Sequence, residues 1–422
     1  MKAEQSSHRK KILINISWLL LEHGVRLVTG VFSASILARV LGVEGYGMFN
    51  YILGLTLIFQ SLSYINPAEL MIPKLSNANS IERRKLMGNG FVIRLFFSLI
   101  AYACLLLFLA ITDESFQFKL ALILGLTILL NEAFAIITAY LQSQTIIKYR
   151  SRLVMFVDIS KALVLISLYQ LGVESIYTYA IVHVGQNLLI ALGLLFIYRS
   201  VTKEGFFYFS LSESYHLIRQ GLPFFIGIIF MIVFSRADIV FMRHLSDVTS
   251  LGLYASAIQL FNHAIVVAPI LASSCAPLLV YKHQNLSVIK KNTLLLSAAM
   301  CVIGMLTAVA LYYLAPILIS VIFGDRFTNA IDMFQYLLIV LPLFFLNEGL
   351  NIYLIKMKLA RFMIYKWLIV LTAAVIAYTH FIPIFNGLGA VIGYGIGYFL
   401  ACLFSLCIIF FYQTSNEKQS HS

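Results

Sequence analysis

Charged residues are scarce in this chain. They make up 11% of its 422 residues, whereas hydrophobic residues make up 61%. A soluble globular domain carries about 25% charged residues. The composition therefore excludes an ordinary soluble domain and indicates a polytopic membrane protein.

Patterns for metal or nucleotide chemistry are also lacking. The five cysteines lie inside apolar runs, and none has metal-ligand spacing to a histidine. No glycine-rich phosphate loop opens a strand–helix unit, so we expect no ATP-hydrolysing motor. His183, His263 and His380 are interpreted as packed, hydrogen-bonded residues. We expect no cofactor, no metal site and no catalytic residue.

Basic residues give a formal net charge of +12, but they lie in short loops between apolar runs. This distribution predicts membrane orientation and argues against a nucleic-acid partner. One set of alternate loops contains few cations, namely Arg39, Lys119, Arg243 and Arg326. The other set contains Lys74, Arg83, Arg84, Lys85, Lys148, Arg150, Arg152, Arg199, Lys203, Arg219, Lys282, Lys290, Lys291, Lys356, Lys358 and Arg361. The second set, and with it both termini, is predicted to be cytoplasmic.

Apolar runs of roughly 20 residues, enough to span a hydrocarbon core of ~30 Å, recur along the chain. About twelve are present, at 12–38, 47–66, 88–111, 117–141, 153–171, 176–198, 221–244, 252–280, 292–315, 330–353, 363–385 and 388–412. They are continuously apolar rather than alternating, so we predict an all-α membrane fold and not a barrel. The segment from Arg39 to Gly47 is predicted to be a tight turn, and Pro269 and Pro277 are predicted to kink the eighth helix.

Two pairs of short motifs predict an internal repeat. Leu130-Asn131-Glu132-Ala133 is similar to Leu346-Asn347-Glu348-Gly349, and the segment 39–49 is similar to 243–254. Both pairs lie six predicted helices apart. Because six is even, the second half would enter the membrane in the same orientation as the first. We predict two six-helix lobes, at residues 1–200 and 201–422.

Charges inside apolar runs are the candidate functional residues, because each costs roughly 2.5–3.5 kcal/mol at bilayer depth. Glu22 and Arg26 are four residues apart and share a helix face, and Asp158 and Lys161 are three apart and can pair. Arg94 lies near a run end and can snorkel. Pairing between helices would account for about half of the set, as the rule that membrane charges pair suggests. The set is Glu22, Arg26, Arg94, Glu132, Asp158, Lys161, Arg236, Asp238 and Glu348, with Lys366 nearer a run end.

These charges also fit a polar lumen. Arg236 and Asp238 are two residues apart and point in different directions, which makes Arg236 the better lumen cation. The four cations face five anions, so the lumen can be cationic only locally. We take Arg26, Arg236, Lys161, Glu22 and Arg94 as candidate substrate-contacting residues. For ion coupling the candidates are Asp158, Asp238, Glu132 and Glu348.

Several motifs resemble those of the polysaccharide flippase family (Wzx type) of the multidrug/oligosaccharidyl-lipid/polysaccharide exporter superfamily. The first helix ends in Ala38-Arg39-Val40-Leu41-Gly42-Val43-Glu44-Gly45-Tyr46-Gly47, and Pro223 opens the seventh helix, which contains Asp238. Gly252-Leu253-Tyr254 begins the eighth, and Ile322-Phe323-Gly324-Asp325-Arg326-Phe327 precedes the tenth. The resemblance covers essentially the whole chain.

The resemblance implies two lobes around a central cavity and alternating access. It implies a flippase for undecaprenyl-diphosphate-linked oligosaccharides, such as O-antigen repeat units of lipopolysaccharide, in the bacterial inner membrane. Some relatives use cationic cavity residues and ion gradients, a role that Arg26, Arg236 and Lys161 match here. Further expected partners are membrane lipids, a proton or sodium ion, and other polysaccharide assembly proteins.

Two alternatives remain open. One is a cation-coupled antiporter for drugs or small molecules, from the same superfamily. The other is a membrane-embedded polysaccharide polymerase or ligase. Such an enzyme is expected to carry a long outside loop with candidate catalytic residues, and this chain has only short outside loops, which disfavours the enzyme.

Overall fold

The structure, a computed structural model, describes residues 2–112, 115–202 and 208–411. Those residues form helices joined by short turns, and none of them is in a strand. The all-α fold predicted from the continuous apolar runs is therefore confirmed. The predicted loop cation Lys203 lies outside the described residues.

Fifteen α-helices follow one another along the described chain, and eleven segments are long and apolar enough to cross a membrane. The helices are α1 (Lys2–Gln60), α2 (Ala68–Asn77), α3 (Ser80–Thr112), α4 (Ser115–Leu124), α5 (Leu126–Ser143), α6 (Lys148–Gln170), α7 (Ile176–Thr202), α8 (Leu211–Leu245), α9 (Val248–Ile265), α10 (Val267–Ala276), α11 (Leu286–Phe323), α12 (Ala330–Leu338), α13 (Leu341–Lys356), α14 (Ala360–Phe385) and α15 (Gly387–Phe411).

The first two predicted runs form one candidate span, Ser17–Ser63, which explains why there are eleven spans and not twelve. The helix is interrupted inside this span at Gly42, whose φ of 65° and ψ of −175° are not helical. The predicted turn at 39–47 is thus wrong in extent, because helix continues on both sides of this one residue. A positive φ is accessible to glycine without steric cost, so Gly42 can break the helix alone.

Proline positions account for the broken eighth predicted span. α9 ends at Ile265 and α10 ends at Ala276, where a short π-helical turn begins at Pro277. Pro269 has no N–H to donate to the carbonyl of Ile265, one turn earlier, which interrupts the hydrogen-bond ladder there. The α-helical hydrogen-bond pattern is thus interrupted near both prolines for which kinks were predicted.

The chain divides into two compact units, Met1–Ile232 and Val233–Ser422. In the first unit α3 packs on α5, α5 on α7, and α6 on α7. In the second unit α11 packs on α13, α13 on α15, and α14 on α15. Each second-unit pair corresponds to the first-unit pair six predicted helices earlier, and this repeated packing supports the internal repeat. The predicted lobe ranges, 1–200 and 201–422, stay a prediction.

Candidate functional site

A cavity of about 910 Å³ lies within the first unit. Its walls come from α1, α3, α5, α6, α7 and the first part of α8, up to Ile232. Apolar side chains form much of this wall, and charged side chains project from four of the helices that line it, α1, α3, α5 and α6. The charged lining residues are Arg26, Arg94, Glu132, Arg150, Asp158 and Lys161.

Glu22 anchors the charge network beside this cavity. Its buried carboxylate accepts hydrogen bonds from Arg150 Nη1 at 2.8 and 2.9 Å and from Ser151 Oγ at 2.8 Å. Arg26 Nη2 lies 3.5 Å from Glu22 Oε1, which confirms the pairing predicted from the four-residue spacing. A buried carboxylate is tolerated only when it is paired and hydrogen-bonded, and Arg150 supplies the shorter of its two ion pairs.

Asp158 and Lys161 are joined through a third residue. Gln186 Nε2 donates to Asp158 Oδ1 at 2.6 Å, and Lys161 Nζ donates to Gln186 Oε1 at 2.8 Å. The prediction that Asp158 and Lys161 pair directly is therefore wrong, because the amide of α7 lies between them. Arg26 Nε approaches Asp158 Oδ2 at 3.6 Å, so the guanidinium spans Glu22 and Asp158.

Arg94 and Glu132 form a second, more deeply buried pair. Arg94 Nη1 lies 3.5 Å from Glu132 Oε2, and its Nη2 donates to the backbone carbonyl of Asn66. Gln60 Nε2 donates to Glu132 Oε1 at 2.9 Å. The proposal that Arg94 snorkels to the interface is wrong, since its side chain is buried and both of its terminal nitrogens bond inside the helix bundle.

Exposure separates the cavity cations into two groups. The Arg26 side chain is 47% exposed, that of Arg150 is 20% exposed, and that of Arg94 is 4% exposed. Arg94 is thus committed to Glu132, while Arg26 presents its guanidinium to the open space. The lining includes four cations and two acids, and Glu22 lies just behind it, so the wall is locally cationic.

His183 and the amide side chains complete this wall. His183 Nδ1 lies 3.3 Å from Lys161 Nζ, and its ring packs edge-on against Phe49 with centroids 6.5 Å apart. The interpretation of His183 as a packed, hydrogen-bonded residue agrees with these contacts. Among the described residues no group of three His, Cys, Asp or Glu side chains could hold a metal ion.

The other three candidate residues belong to the second unit. Asp238 is buried and accepts a 2.6 Å hydrogen bond from the Tyr254 hydroxyl, while Arg236 is half-buried two residues earlier on α8. Glu348 accepts from the side-chain amides of Asn347 and Asn351, each at 3.3 Å. None of the three lines the cavity of the first unit.

Sequence reasoning missed two residues of these networks, Arg150 and Gln186, and misjudged the depth of a third residue, Lys366. Arg150 precedes an apolar run and was therefore placed in a cytoplasmic loop. The one available signal was that the buried acid Glu22 requires a cation on the same side of the membrane. Gln186 carries no charge and gave no signal. Lys366 was placed near a run end, yet it is fully buried in the second unit.

The chain was compared with known protein families, sequences and structures. A model of the family described as "Polysaccharide biosynthesis protein" matches residues 10–283. No curated protein sequence matches the chain significantly. Structural similarity, by contrast, extends over nearly the whole chain.

The lipid II flippase MurJ, in an inward closed conformation, matches 93% of this chain and 87% of its own, with a TM-score of 0.72 and 15% identity. An inward-facing MATE family multidrug resistance transporter of the MOP superfamily matches 94% and 96%, with a TM-score of 0.67 and 12% identity. A MOP superfamily transporter from Pyrococcus furiosus, described as having a binding pocket of reverse polarity, matches 94% of each chain at a TM-score of 0.54 and 13% identity. At these identities the similarity shows a shared fold.

Proposed function

Because the chain belongs to the polysaccharide biosynthesis protein family, whose model matches residues 10–283, we propose that it is a flippase for lipid-linked oligosaccharides. The fold and the superfamily resemblance predicted from the sequence are confirmed. The proposed substrate is an undecaprenyl-diphosphate-linked repeat unit, such as an O-antigen unit. The observation that carries the proposal is the locally cationic cavity among membrane-spanning helices.

The physical task of such a flippase matches this cavity. Each sugar hydroxyl that loses its hydrogen bonds in hydrocarbon costs several kcal/mol, so an oligosaccharide crosses a bilayer very slowly unaided. A diphosphate adds negative charge, which guanidinium groups bind through short, charge-assisted hydrogen bonds. A polar wall with accessible cations lowers both costs during passage.

Within the cavity we assign different roles to different cations. Arg26 contacts the diphosphate, because it is the exposed guanidinium, and half-buried Lys161 assists from the neighbouring helix. Arg150, Arg94 and Glu22 hold the wall in place through buried pairs. Arg236 is proposed as a further substrate-contacting cation in the second unit.

No bond of the substrate is broken in this proposal, so it requires no nucleophile and the protein is not an enzyme.

Directional transport requires an energy source, and a proton or sodium gradient could act through Asp158, Asp238, Glu132 or Glu348. Collapse of both gradients in loaded vesicles tests this coupling: unchanged net transport would exclude it.

The proposed location is the inner membrane of a bacterium, with both termini cytoplasmic. The asymmetry of lysine and arginine between alternate loops supports this orientation. Cysteine accessibility scanning tests it: a reagent that cannot cross membranes should label a cysteine placed at Lys290 from the cytoplasmic side alone. On the cytoplasmic face, other polysaccharide assembly proteins would supply the substrate.

A cation-coupled antiporter is the second candidate, and one observation favours it. Asp158 and Glu132 line the cavity and could attract a cationic solute. Deletion of the gene distinguishes the two functions. The flippase proposal expects a lipid-linked repeat unit to accumulate on the cytoplasmic side and surface polysaccharide to fall. An intact surface together with lost export of a cationic drug would instead support the antiporter.

A further inference from the structure

A buried lysine in the second unit is held by three uncharged side chains. Lys366 of α14 is fully buried, and its Nζ donates to Asn347 Oδ1 at 2.6 Å, to Asn351 Oδ1 at 2.7 Å and to Ser405 Oγ at 3.0 Å. A lysine ammonium has three donors and no acceptor. All three donors are therefore satisfied by oxygens from α13 and α15.

The two asparagines connect this ammonium to a carboxylate. Asn347 Nδ2 and Asn351 Nδ2 each donate to Glu348 Oε1 at 3.3 Å. Because lysine can only donate and a carboxylate accepts, the amide oxygens have to face Lys366 and the amide nitrogens Glu348. Each amide dipole thus favours the positive charge on one side and the negative charge on the other.

This arrangement differs from an ordinary buried ion pair, in which the carboxylate contacts the cation directly. Here three oxygens of neutral side chains surround the charge, and the Trp367 ring centroid lies 5.1 Å from Nζ. Membrane proteins hold small monovalent cations in the same way, with uncharged oxygens that replace the hydration shell of the ion. A nearby aromatic face adds attraction for a cation.

We propose that Asn347, Asn351 and Ser405 form a monovalent-cation site that Lys366 fills with its own ammonium. Lys366 is a tethered cation in this site, and a free sodium or potassium ion takes its place once the ammonium is removed. This one site consequently holds a fixed cation and exchanges none. The inference concerns residues outside the first-unit cavity and does not rest on the proposed substrate.

The test compares purified variants in three salts. K366A removes the ammonium and leaves space, whereas K366M removes the charge but refills the space with an unbranched stem. Thermal unfolding is measured in sodium, potassium and N-methyl-D-glucamine chloride at equal ionic strength. We expect sodium or potassium to raise the Tm of K366A saturably by roughly 2–4 °C. The same salts should leave K366M and the unaltered protein unchanged relative to N-methyl-D-glucamine.

Adding N351L to K366A removes one oxygen ligand, and the salt response should then disappear. A folded K366A without any ion-specific shift would overturn the proposal. If K366A does not fold, the same salt comparison of Tm is made with the unaltered protein and its N351L variant. A saturable sodium or potassium shift in the unaltered protein that N351L abolishes would show an exchangeable ion and contradict a tethered one. The absence of an ion-specific shift in both supports the tethered cation.

Discussion

Arg150 Nη1 lies 2.8 Å from Glu22 Oε1, although 128 residues separate the two in the chain. This contact joins α1 to α6 at the edge of the cavity, and α1 and α6 pack extensively against each other. Glu22 is 2% exposed, so most of its hydration is lost. The pair therefore bears on both the stability of the first unit and the position of Arg26.

Removing Arg150 should leave the Glu22 carboxylate buried without its main partner. We expect Arg150→Ala to destabilise the protein by roughly 3–5 kcal/mol, the usual effect of breaking a buried pair. Thermal unfolding in detergent measures it. The control is Arg152→Ala, which removes an exposed cation two residues away that lies over the Trp18 ring; a loss of at most about 1 kcal/mol is expected. Combining Arg150→Ala with Glu22→Gln should recover part of the loss. Strictly additive effects would contradict a direct coupling.

Arg26 is the cavity cation with the most accessible side chain. Loss of one charge-assisted contact costs about 1.5–3 kcal/mol, so Arg26→Ala should slow translocation by roughly tenfold to a hundredfold. The protein should stay abundant, since Glu22 keeps Arg150 and Ser151. Surface polysaccharide and membrane abundance are measured together, with exposed Arg84→Ala of α3 as the matched control. Full activity of both Arg26→Ala and Arg236→Ala at normal abundance would remove their assignment as substrate contacts.

Gln186 links Asp158 to Lys161, and its loss should affect both charges. Gln186→Leu preserves much of the volume but removes both hydrogen bonds, and we expect a stability loss of about 1–3 kcal/mol together with reduced transport. Asn187→Ala is the control, because the Asn187 amide lines the same cavity but bonds to the carbonyl of His183 on its own helix. Equal effects of the two variants would argue against a linking role for Gln186.

Gly42 breaks α1 with a positive φ. A φ of 65° with a ψ of −175° is a backbone conformation that only glycine adopts readily, and it costs other residues roughly 1–3 kcal/mol, so Gly42→Ala should lower stability by about that amount. Gly24→Ala is the matched control, because Gly24 is in the same helix, is exposed, and a Cβ added there would meet no neighbouring atom within 4 Å. There alanine should be neutral or stabilising. A Gly42→Ala variant as stable as Gly24→Ala would show that the interruption is not fixed by glycine.

The sequence predicted the elements well because a membrane-spanning helix requires a long apolar run, which is visible in one dimension. Side-chain spacing also predicted the Glu22–Arg26 pair, since four residues bring two side chains to one helix face. Partners on other helices were harder to predict. Arg150 and Gln186 reach their acids only through the packing of α6 against α1 and α7, and no local pattern encodes that choice.

The burial of Lys366 was also not predictable from local sequence. Sequence reasoning placed it only nearer a run end than the other intramembrane charges. Three oxygens contributed by two other helices hold it inside instead. Burial of a charge depends on its acceptors, and these were spread over α13 and α15 without a recognisable motif.

Translocation itself tests the central claim, that the cationic wall of the first-unit cavity carries a lipid-linked oligosaccharide across the membrane. The protein is reconstituted into vesicles with a fluorescent polyprenyl-diphosphate oligosaccharide, and the fraction that becomes accessible to a reagent outside the vesicle is followed over time. We expect protein-dependent translocation that Arg26→Ala slows at least tenfold while Arg84→Ala leaves it unchanged. No translocation by the folded protein, together with transport of a free organic cation in the same vesicles, would contradict the account.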